Sequence, residues 1–127
     1  MIIGIGTDIV CGSRILRIEQ KFGDKFRRKI LNEIEHTRYH DLTESRKQQY
    51  LTSCFAVKEA AAKSLGTGFR NGITFKDIIL YHNLLGCPKV KFLNKASSVF
   101  RELGAFQVDI SLSHDKGLTV AFVVISS

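Results

Sequence analysis

Two carboxylates, a lysine and a glycine turn are the residues of this sequence that best suit chemistry on a phosphorylated ligand. Asp8 ends the stretch GIGTD, and Glu59 and Lys63 lie four positions apart in the run FAVKEAAAKSLGTG from Phe55 to Gly68. Mg²⁺ in proteins commonly takes one or two carboxylates together with phosphate oxygens and water. A nearby lysine and glycine N–H groups would complement phosphate charge. The residues alone therefore predict a metal site that handles phosphate, without naming a reaction; its candidate members are Asp8, Glu59, Lys63, Gly66, Thr67, Gly68 and His114.

The run around Glu59 predicts a long central helix that begins at Thr43 or Glu44 and ends at the glycine turn. At about 100° per residue, one face of this helix is apolar and should pack in the core; it carries Leu51, Phe55, Ala62 and Leu65. Lys58 falls inside that face, where an unpaired ammonium would cost several kcal/mol, so it must snorkel to the surface, reach a backbone carbonyl or serve a site. An ordinary amphipathic helix with a surface Glu59–Lys63 ion pair and a glycine C-cap is the alternative interpretation.

The N-terminal segment Ile2 to Val10 alternates in the manner of a strand. Gly4, Gly6 and Asp8 share one face, so a helix or a ligand could approach that face closely. Asp8 would then stand at the end of a bare surface. The structural alternative is that Asp8 only caps the helix that follows, for which Ser13 is another candidate.

A basic stripe marks the next segment, Ser13 to about Glu35, whose apolar residues recur at helical spacing with a break at Gly23. The stripe carries Arg14, Arg17, Lys21, Lys25 and Arg28. A solvated face would usually mix both signs of charge, so a surface for an acidic partner is an equal alternative to a solvated one. The segment from His36 to Thr43 is expected to be a polar connector.

The second half of the sequence predicts strands and one short helix. Strands are expected at 77–82 and 89–93 around a turn, then at 106–113 and 118–125, where Asp115 to Gly117 suits a tight turn. A helix from Asn94 to Leu103, capped by Asn94, separates the two pairs. This order predicts an α+β fold with a largely antiparallel sheet, one long central helix and shorter helices, in a single domain of residues 1–127.

Composition limits the classes of function. A net charge of +7 with 44% apolar residues indicates a folded protein with an anionic partner, which could be nucleic acid, phosphate groups or an acidic protein. No apolar run approaches the roughly 20 residues of a membrane span. Three cysteines without a secretory signal favour a reducing, cytoplasmic location.

Five motifs in this sequence resemble those of the holo-acyl-carrier-protein synthases, the small homotrimeric class of 4'-phosphopantetheinyl transferases. They are GIGTDIV at 4–10, FAVKEAAAKSLGTG at 55–68, FKDI at 75–78, NLLGCPKV at 83–90 and SLSHDK at 111–116. The resemblance implies transfer of phosphopantetheine from coenzyme A to a serine of an acidic acyl carrier protein, in support of fatty acid biosynthesis. Adenosine 3',5'-bisphosphate would be released.

The resemblance also implies a role for each matching residue. Asp8 and Glu59 would bind Mg²⁺, with Glu59 and Lys63 catalytic. Coenzyme A would be held by Arg46, Lys63, Gly66, Thr67, Gly68 and His114, of which Arg46 and His114 would take the adenosine 3'-phosphate end. The carrier protein would dock on the basic stripe, for which the expected contacts are Arg14, Arg17, Lys21 and Lys25.

One departure bears on coenzyme binding: Cys54 stands where the family usually has an arginine. A second, Cys11-Gly12, replaces a common glutamate near the first helix. Two other classes of protein compete with the transferase. A small basic nucleic-acid-binding module would account for the charge but not for carboxylates at a phosphate site, and a metal-dependent phosphohydrolase would use water in place of the carrier serine.

Overall fold

The computed structural model describes residues 1–127. The chain forms five strands, five α-helices and one short 3₁₀ helix at Phe75–Asp77. The strands are β1 (Ile2–Cys11), β2 (Ile78–His82), β3 (Pro88–Phe92), β4 (Gln107–Asp115) and β5 (Leu118–Ser126). The helices are α1 (Gly12–Phe22), α2 (Asp24–Ile30), α3 (Glu33–Asp41), α4 (Glu44–Ser64) and α5 (Asn94–Glu102). This confirms the α+β class and the long central helix.

All strand pairs are antiparallel, and they form two separate sheets. The larger sheet has the order β1-β5-β4, and β2 and β3 form a hairpin of their own. Asp8 lies opposite Ala121 in the β1–β5 register, and His114 lies opposite Thr119 in the β4–β5 register. The turn between β4 and β5 has positive φ at Lys116 and Gly117, which is the geometry of the tight hairpin turn that the sequence predicts.

Helix α4 packs directly on the glycine face of β1. A side chain on Gly6 would overlap the carbonyl oxygen of Ala60, and one on Gly4 would overlap that of Ser64. Only glycine permits so close an approach of two backbones. The small residues Thr52, Ala56 and Ala60 are therefore buried against the sheet and do not form an open surface for a ligand. The contact between β1 and α4 fixes the position of Asp8 along the axis of α4.

Three local predictions are wrong. The segment expected as a connector is helix α3, which begins with a capping box between Asn32 and Glu35. Asn94 does not cap α5: its φ is 51°, and its side chain donates to Asp77. Asp8 does not cap α1, and neither does Ser13, which lies inside α1 after the uncapped Cys11. Asn94 and Asp8 instead contact residues that are distant in sequence, Asp77 and Lys63.

The buried Lys58 reaches a backbone carbonyl, one of the alternatives that the sequence left open, and it also pairs with Glu35. Its Nζ lies 2.5 Å from Glu35 Oε1 and donates to the carbonyl oxygen of Phe75 at 2.9 Å. Glu35 also accepts from the backbone N–H groups of Asn32 and Leu80. The pair joins α3, α4 and β2 at the centre of the molecule, so Lys58 is structural and not part of a surface site.

None of the helices combines the length and the apolar composition that a membrane span needs.

Candidate active site

The three residues proposed for chemistry come together where β1 crosses α4. Lys63 Nζ donates to the carbonyl oxygen of Thr7 at 2.9 Å and lies 3.5 Å from Asp8 Oδ1. Glu59 is one turn earlier on α4, close enough for the charge of Asp8 to raise its pKa. The glycine face of β1 creates this arrangement, because it allows the strand to lie against α4 with Asp8 beside the Glu59–Lys63 edge.

Both carboxylates are held in an environment that disfavours their ionised forms. Partial burial raises the pKa of Asp8, against the opposing charges of Lys63 and Arg14. Partial burial and the negative charge of Asp8 raise the pKa of Glu59. Two like charges at one site are costly when one lysine must balance both. A further cation at this point would relieve that cost.

These donors fit a magnesium ion. Asp8 and Glu59 supply two carboxylates, which are hard oxygen ligands, and Mg²⁺ usually completes its shell with water and phosphate oxygens. The side chain of Asp8 is 18% exposed, so it is open to a ligand but not freely solvated. Lys63 is more exposed, at 52%, and remains free to meet a phosphate oxygen. The arrangement can therefore hold a divalent cation and an anionic ligand together.

The glycine turn after α4 offers fewer donors than its composition suggests. The Gly66 N–H donates to the carbonyl oxygen of Lys63 at 2.9 Å, and the Gly68 N–H donates to that of Ala62 at 3.1 Å. Both bonds close the C-terminus of the helix in the manner of a glycine cap. The expectation that the turn frees these N–H groups is wrong for Gly66 and Gly68, and only Thr67 keeps an uncommitted N–H.

Arg46 and His114 also come together, but in a different place. Both line a cleft between α3, α4, β2 and the end of β4. Arg46 and Glu59 are thirteen positions apart on α4, which corresponds to about 20 Å and to nearly opposite faces of the helix. Within one chain, the cleft with Arg46 is therefore remote from the carboxylates.

The basic stripe spans two helices, because α1 ends at Gly23 and α2 begins at Asp24. Its first four cations are exposed and form no ion pair within the chain: Arg14, Arg17, Lys21 and Lys25. Arg28, by contrast, pairs with Asp24 at 2.5 Å. An apolar groove of about 420 Å³ lies beside the stripe, lined mainly by Ile18, Phe22, Phe26, Ile30, Phe55 and Phe75.

Arg14 connects the stripe with the carboxylates. Its guanidinium lies 5.8 Å from the centre of the Phe55 ring, at the face of α4. Its charge also opposes the rise in the pKa of both Asp8 and Glu59. The sequence assigned Arg14 to docking alone. The helical spacing could not reveal this second position, which depends on how α1 crosses α4.

Comparison with known proteins identifies the family of this chain. The family model of the 4'-phosphopantetheinyl transferase superfamily matches residues 4–123. The chain belongs to this superfamily. The transferase is 44% identical over 127 residues to a holo-[acyl-carrier-protein] synthase of Wolbachia pipientis, with 98% of each chain covered.

Solved structures give the same result for the fold. The transferase superposes on a holo-[acyl-carrier-protein] synthase from Neisseria meningitidis with a TM-score of 0.91 and 38% identity, covering all of both chains. It is also similar to a holo-(acyl-carrier-protein) synthase from Bacillus anthracis in complex with CoA (3',5'-ADP), with a TM-score of 0.81 and 34% identity. That match covers 98% of this chain and 96% of the other.

The structure assigns unexpected roles to two residues of the transferase, Cys54 and Glu35. Cys54 is fully buried, with its Sγ 3.8 Å from Glu35 Oε2, so it belongs to the core and does not line the cleft that contains Arg46. Glu35 was not singled out from the sequence, although its capping position after Asn32 is a recognisable signal. Its buried role could not be foreseen, because a first-turn glutamate is usually exposed.

Proposed function

We propose that the chain transfers 4'-phosphopantetheine from coenzyme A to a serine hydroxyl of an apo-acyl carrier protein, releasing adenosine 3',5'-bisphosphate. The observation that carries this proposal is the meeting of Asp8, Glu59 and Lys63 beside the glycine face of β1. Membership of the superfamily supports the reaction class, and the holo-acyl carrier protein formed would serve fatty acid biosynthesis. A small nucleic-acid-binding module does not account for paired carboxylates at a phosphate site.

In the proposed reaction, the serine oxygen forms a bond to the phosphorus that carries pantetheine, and the anhydride bond to the adenosine phosphate breaks. Asp8 and Glu59 would hold Mg²⁺, which when bound neutralises charge on the pyrophosphate. Lys63 would stabilise the charge that develops on the leaving phosphate. Glu59 is the proposed acceptor of the serine proton, which it would take through a water molecule that lies between the two groups.

The carrier protein would dock on the stripe formed by Arg14, Arg17, Lys21 and Lys25. Four unpaired cations suit an acidic surface, which would speed association and orient the partner. The neighbouring apolar groove offers a place for an apolar side chain of the carrier. Arg14 lies between this surface and the carboxylates, so docking would bring the carrier serine towards Glu59.

The separation of the two clusters supports a site shared between copies of the chain. The 3'-phosphate and the pyrophosphate of coenzyme A are attached to one ribose, a few bonds apart. Arg46 and Glu59 of one chain are about 20 Å apart along α4, too far to hold both groups at once. One chain would therefore supply Asp8, Glu59 and Lys63, and a neighbour would supply Arg46 and His114. The turn from Gly66 to Gly68 would shape the pocket by its backbone, with Thr67 as its one free N–H donor.

An exposed apolar sheet face provides the contact between copies. The face of the larger sheet that is turned away from α4 carries Ile5, Ile9 and Phe122, which are 59%, 61% and 42% exposed. The β1–β5 pairing places Phe122 opposite Thr7, between the two isoleucines. Such a cluster on a domain of this size suits an interface. A closed trimer would bury this face on every chain. We propose that the protein forms such a trimer and that it works in the cytoplasm.

A complementation experiment tests the shared site. Glu59→Gln and Arg46→Ala chains, each inactive alone, are unfolded together and refolded, and transfer is followed by the mass added to an apo-acyl carrier protein. Mixed assemblies should contain sites with both wild-type halves, so activity should partly return. If the mixture is as inactive as its components, both halves of the site come from one chain. The wild-type reaction, run without carrier, separates the transferase from a phosphohydrolase, because only the latter releases bisphosphate then.

A further inference from the structure

The cleft that contains Arg46 and His114 is lined by more basic side chains than the sequence indicates. It has a volume of about 270 Å³, and Arg38 from α3 and His82 from β2 also line it. Four elements thus contribute one basic side chain each to the same cavity. The remaining lining residues are uncharged: Leu42, Gln49, Tyr50, Ser53, Leu80 and Leu112. Because no carboxylate opens into the cleft, nothing there balances the charge.

The two arginines of this cleft have no partner in the chain. Neither Arg38 nor Arg46 forms an ion pair or a side-chain hydrogen bond, whereas the arginines on α2 pair with Asp24 or Glu19. A solvated arginine on a helix surface is ordinary, and the arginines alone would not define a site. Arg38 and Arg46 lie on two different helices and line one cavity, but a second observation is needed to identify that cavity as a binding site.

The second observation is that His82 lacks a hydrogen-bond partner for one of its ring nitrogens. Its Nδ1 is buried without a hydrogen-bond partner, although the residue lines the cleft. A buried polar atom without a partner destabilises the fold, so such atoms are rare unless a ligand or water satisfies them. Burial and the charge of Arg38 lower the pKa of His82. The other ionisable groups lining this cleft are Arg46, Tyr50 and His114, none of which supplies a negative charge at neutral pH.

His114 has the complementary arrangement. Its Nδ1 lies 2.9 Å from Thr119 Oγ1, which fixes the ring and leaves Nε2 without a partner in the chain. Two guanidinium groups and two imidazoles can together offer more donors than a phosphate monoester can accept. A dianionic phosphate is the ligand class that matches this surplus of charge and donors.

We propose that Arg38 and His82 bind the 3'-phosphate of coenzyme A together with Arg46 and His114, and that they set the preference for coenzyme A over dephospho-coenzyme A. The inference rests on the proposed function. Cys54 is fully buried, does not line the cleft and carries no charge into it. Arg38, on α3, supplies a cation to the cleft, whereas Cys54 on α4 supplies none.

Equilibrium binding of two nucleotides to the assembled protein tests the assignment. Adenosine 3',5'-bisphosphate carries the phosphate in question, and adenosine 5'-monophosphate lacks it. Arg38→Gln and His82→Gln should each weaken bisphosphate binding by about tenfold or more, as expected for the loss of a charge-assisted contact, and should leave monophosphate binding unchanged. Arg101→Gln, an exposed arginine of α5 outside the cleft, serves as the control and should change neither.

The result separates this inference from the reaction itself. Equal effects on both nucleotides, or no effect on either, would overturn the role of Arg38 and His82 while wild-type transfer to a carrier protein continued. Absence of transfer by the wild type would overturn the proposed function instead. Melting curves of each variant guard against misfolding. A specific loss of bisphosphate affinity at an unchanged melting temperature supports a ligand contact, since a structural role would weaken both nucleotides together.

Discussion

Lys58 and Glu35 form an ion pair in the centre of the protein, with side chains that are 0% and 1% exposed. Removing one member leaves the other charged and buried, which typically costs about 3–5 kcal/mol. Lys58→Met should therefore lower the free energy of unfolding by an amount in this range, measured by chemical denaturation. Lys47→Met, which removes a pair with the exposed Glu44 on the same helix, should cost less than about 1 kcal/mol. Similar losses for the two variants would contradict the structural role of Lys58.

Asp8 and Glu59 should reduce stability in the absence of a cation. Burial raises the pKa of each above its ordinary value, so the folded state binds protons more tightly than the unfolded state does. Stability should then decrease as the pH rises through the window from the ordinary values of 3.8 and 4.5 up to the raised ones. Asp8→Asn and Glu59→Gln should remove this loss, and each should melt at a slightly higher temperature than the wild type at neutral pH.

The same variants should lose transfer activity and the response to magnesium. Mg²⁺ should raise the melting temperature of the wild type, because a ligand that binds only the folded state stabilises it. Neither variant should show that rise, and EDTA should abolish wild-type transfer. The exposed Glu102→Gln, on α5, is the matched control and should behave as the wild type. Full activity of Asp8→Asn or Glu59→Gln at ordinary Mg²⁺ would refute the metal site.

Charge reversal on the stripe should affect the carrier protein and not the coenzyme. Arg17→Glu combined with Lys21→Glu should raise KM for the carrier, with little change in coenzyme A affinity, and added salt should raise the wild-type KM. Arg14 is left unchanged in this test because it also lies near the carboxylates. Lys91→Glu combined with Lys95→Glu, at exposed positions near β3 and α5, controls for net charge. A parallel loss for both substrates would mean that the stripe is structural.

Cys54→Arg should destabilise the protein without improving coenzyme binding. The position is fully buried beside Glu35 and Lys58, so a longer cation must displace packed atoms at a cost of about 1–3 kcal/mol. Denaturation measures the cost, and binding of coenzyme A and dephospho-coenzyme A measures the ligand effect. A gain confined to coenzyme A would show that position 54 reaches the 3'-phosphate, contrary to its burial. Cys54→Ser is the smaller control.

Gly6→Ala should uncouple β1 from α4. The added methyl group would overlap the carbonyl oxygen of Ala60, so strand and helix must separate. The free energy of unfolding should fall by about 1–3 kcal/mol, and transfer should fall further, because Asp8 moves away from Glu59. Glu102→Ala, at an exposed position of α5 away from this contact, should retain both stability and transfer. Activity that survives in Gly6→Ala would show that this contact does not position the site.

The sequence by itself determined the elements that carry the chemistry. Helical periodicity predicted α4 from Thr43 to the glycine turn, and two-residue alternation predicted β1 with its glycine face. It also indicated that Lys58 needs a partner, since an unpaired buried ammonium is too costly. Each of these predictions depends on local periodicity or on a single residue. The sequence from Phe55 to Gly68 has a strong pattern of this kind, so it is sufficient for such predictions.

The tertiary structure alone decided which residues meet. Glu35 became the partner of Lys58 because α3, expected as a connector, packs against α4 and β2. The N–H groups of Gly66 and Gly68 were committed to closing α4, and Arg38 and His82 joined Arg46 in one cleft. Contacts between residues far apart in sequence depend on how elements cross, and periodicity describes only the face of each element. For that reason the sequence identified Asp8 and Glu59 separately, and the packing of α4 on Gly6 brought them together.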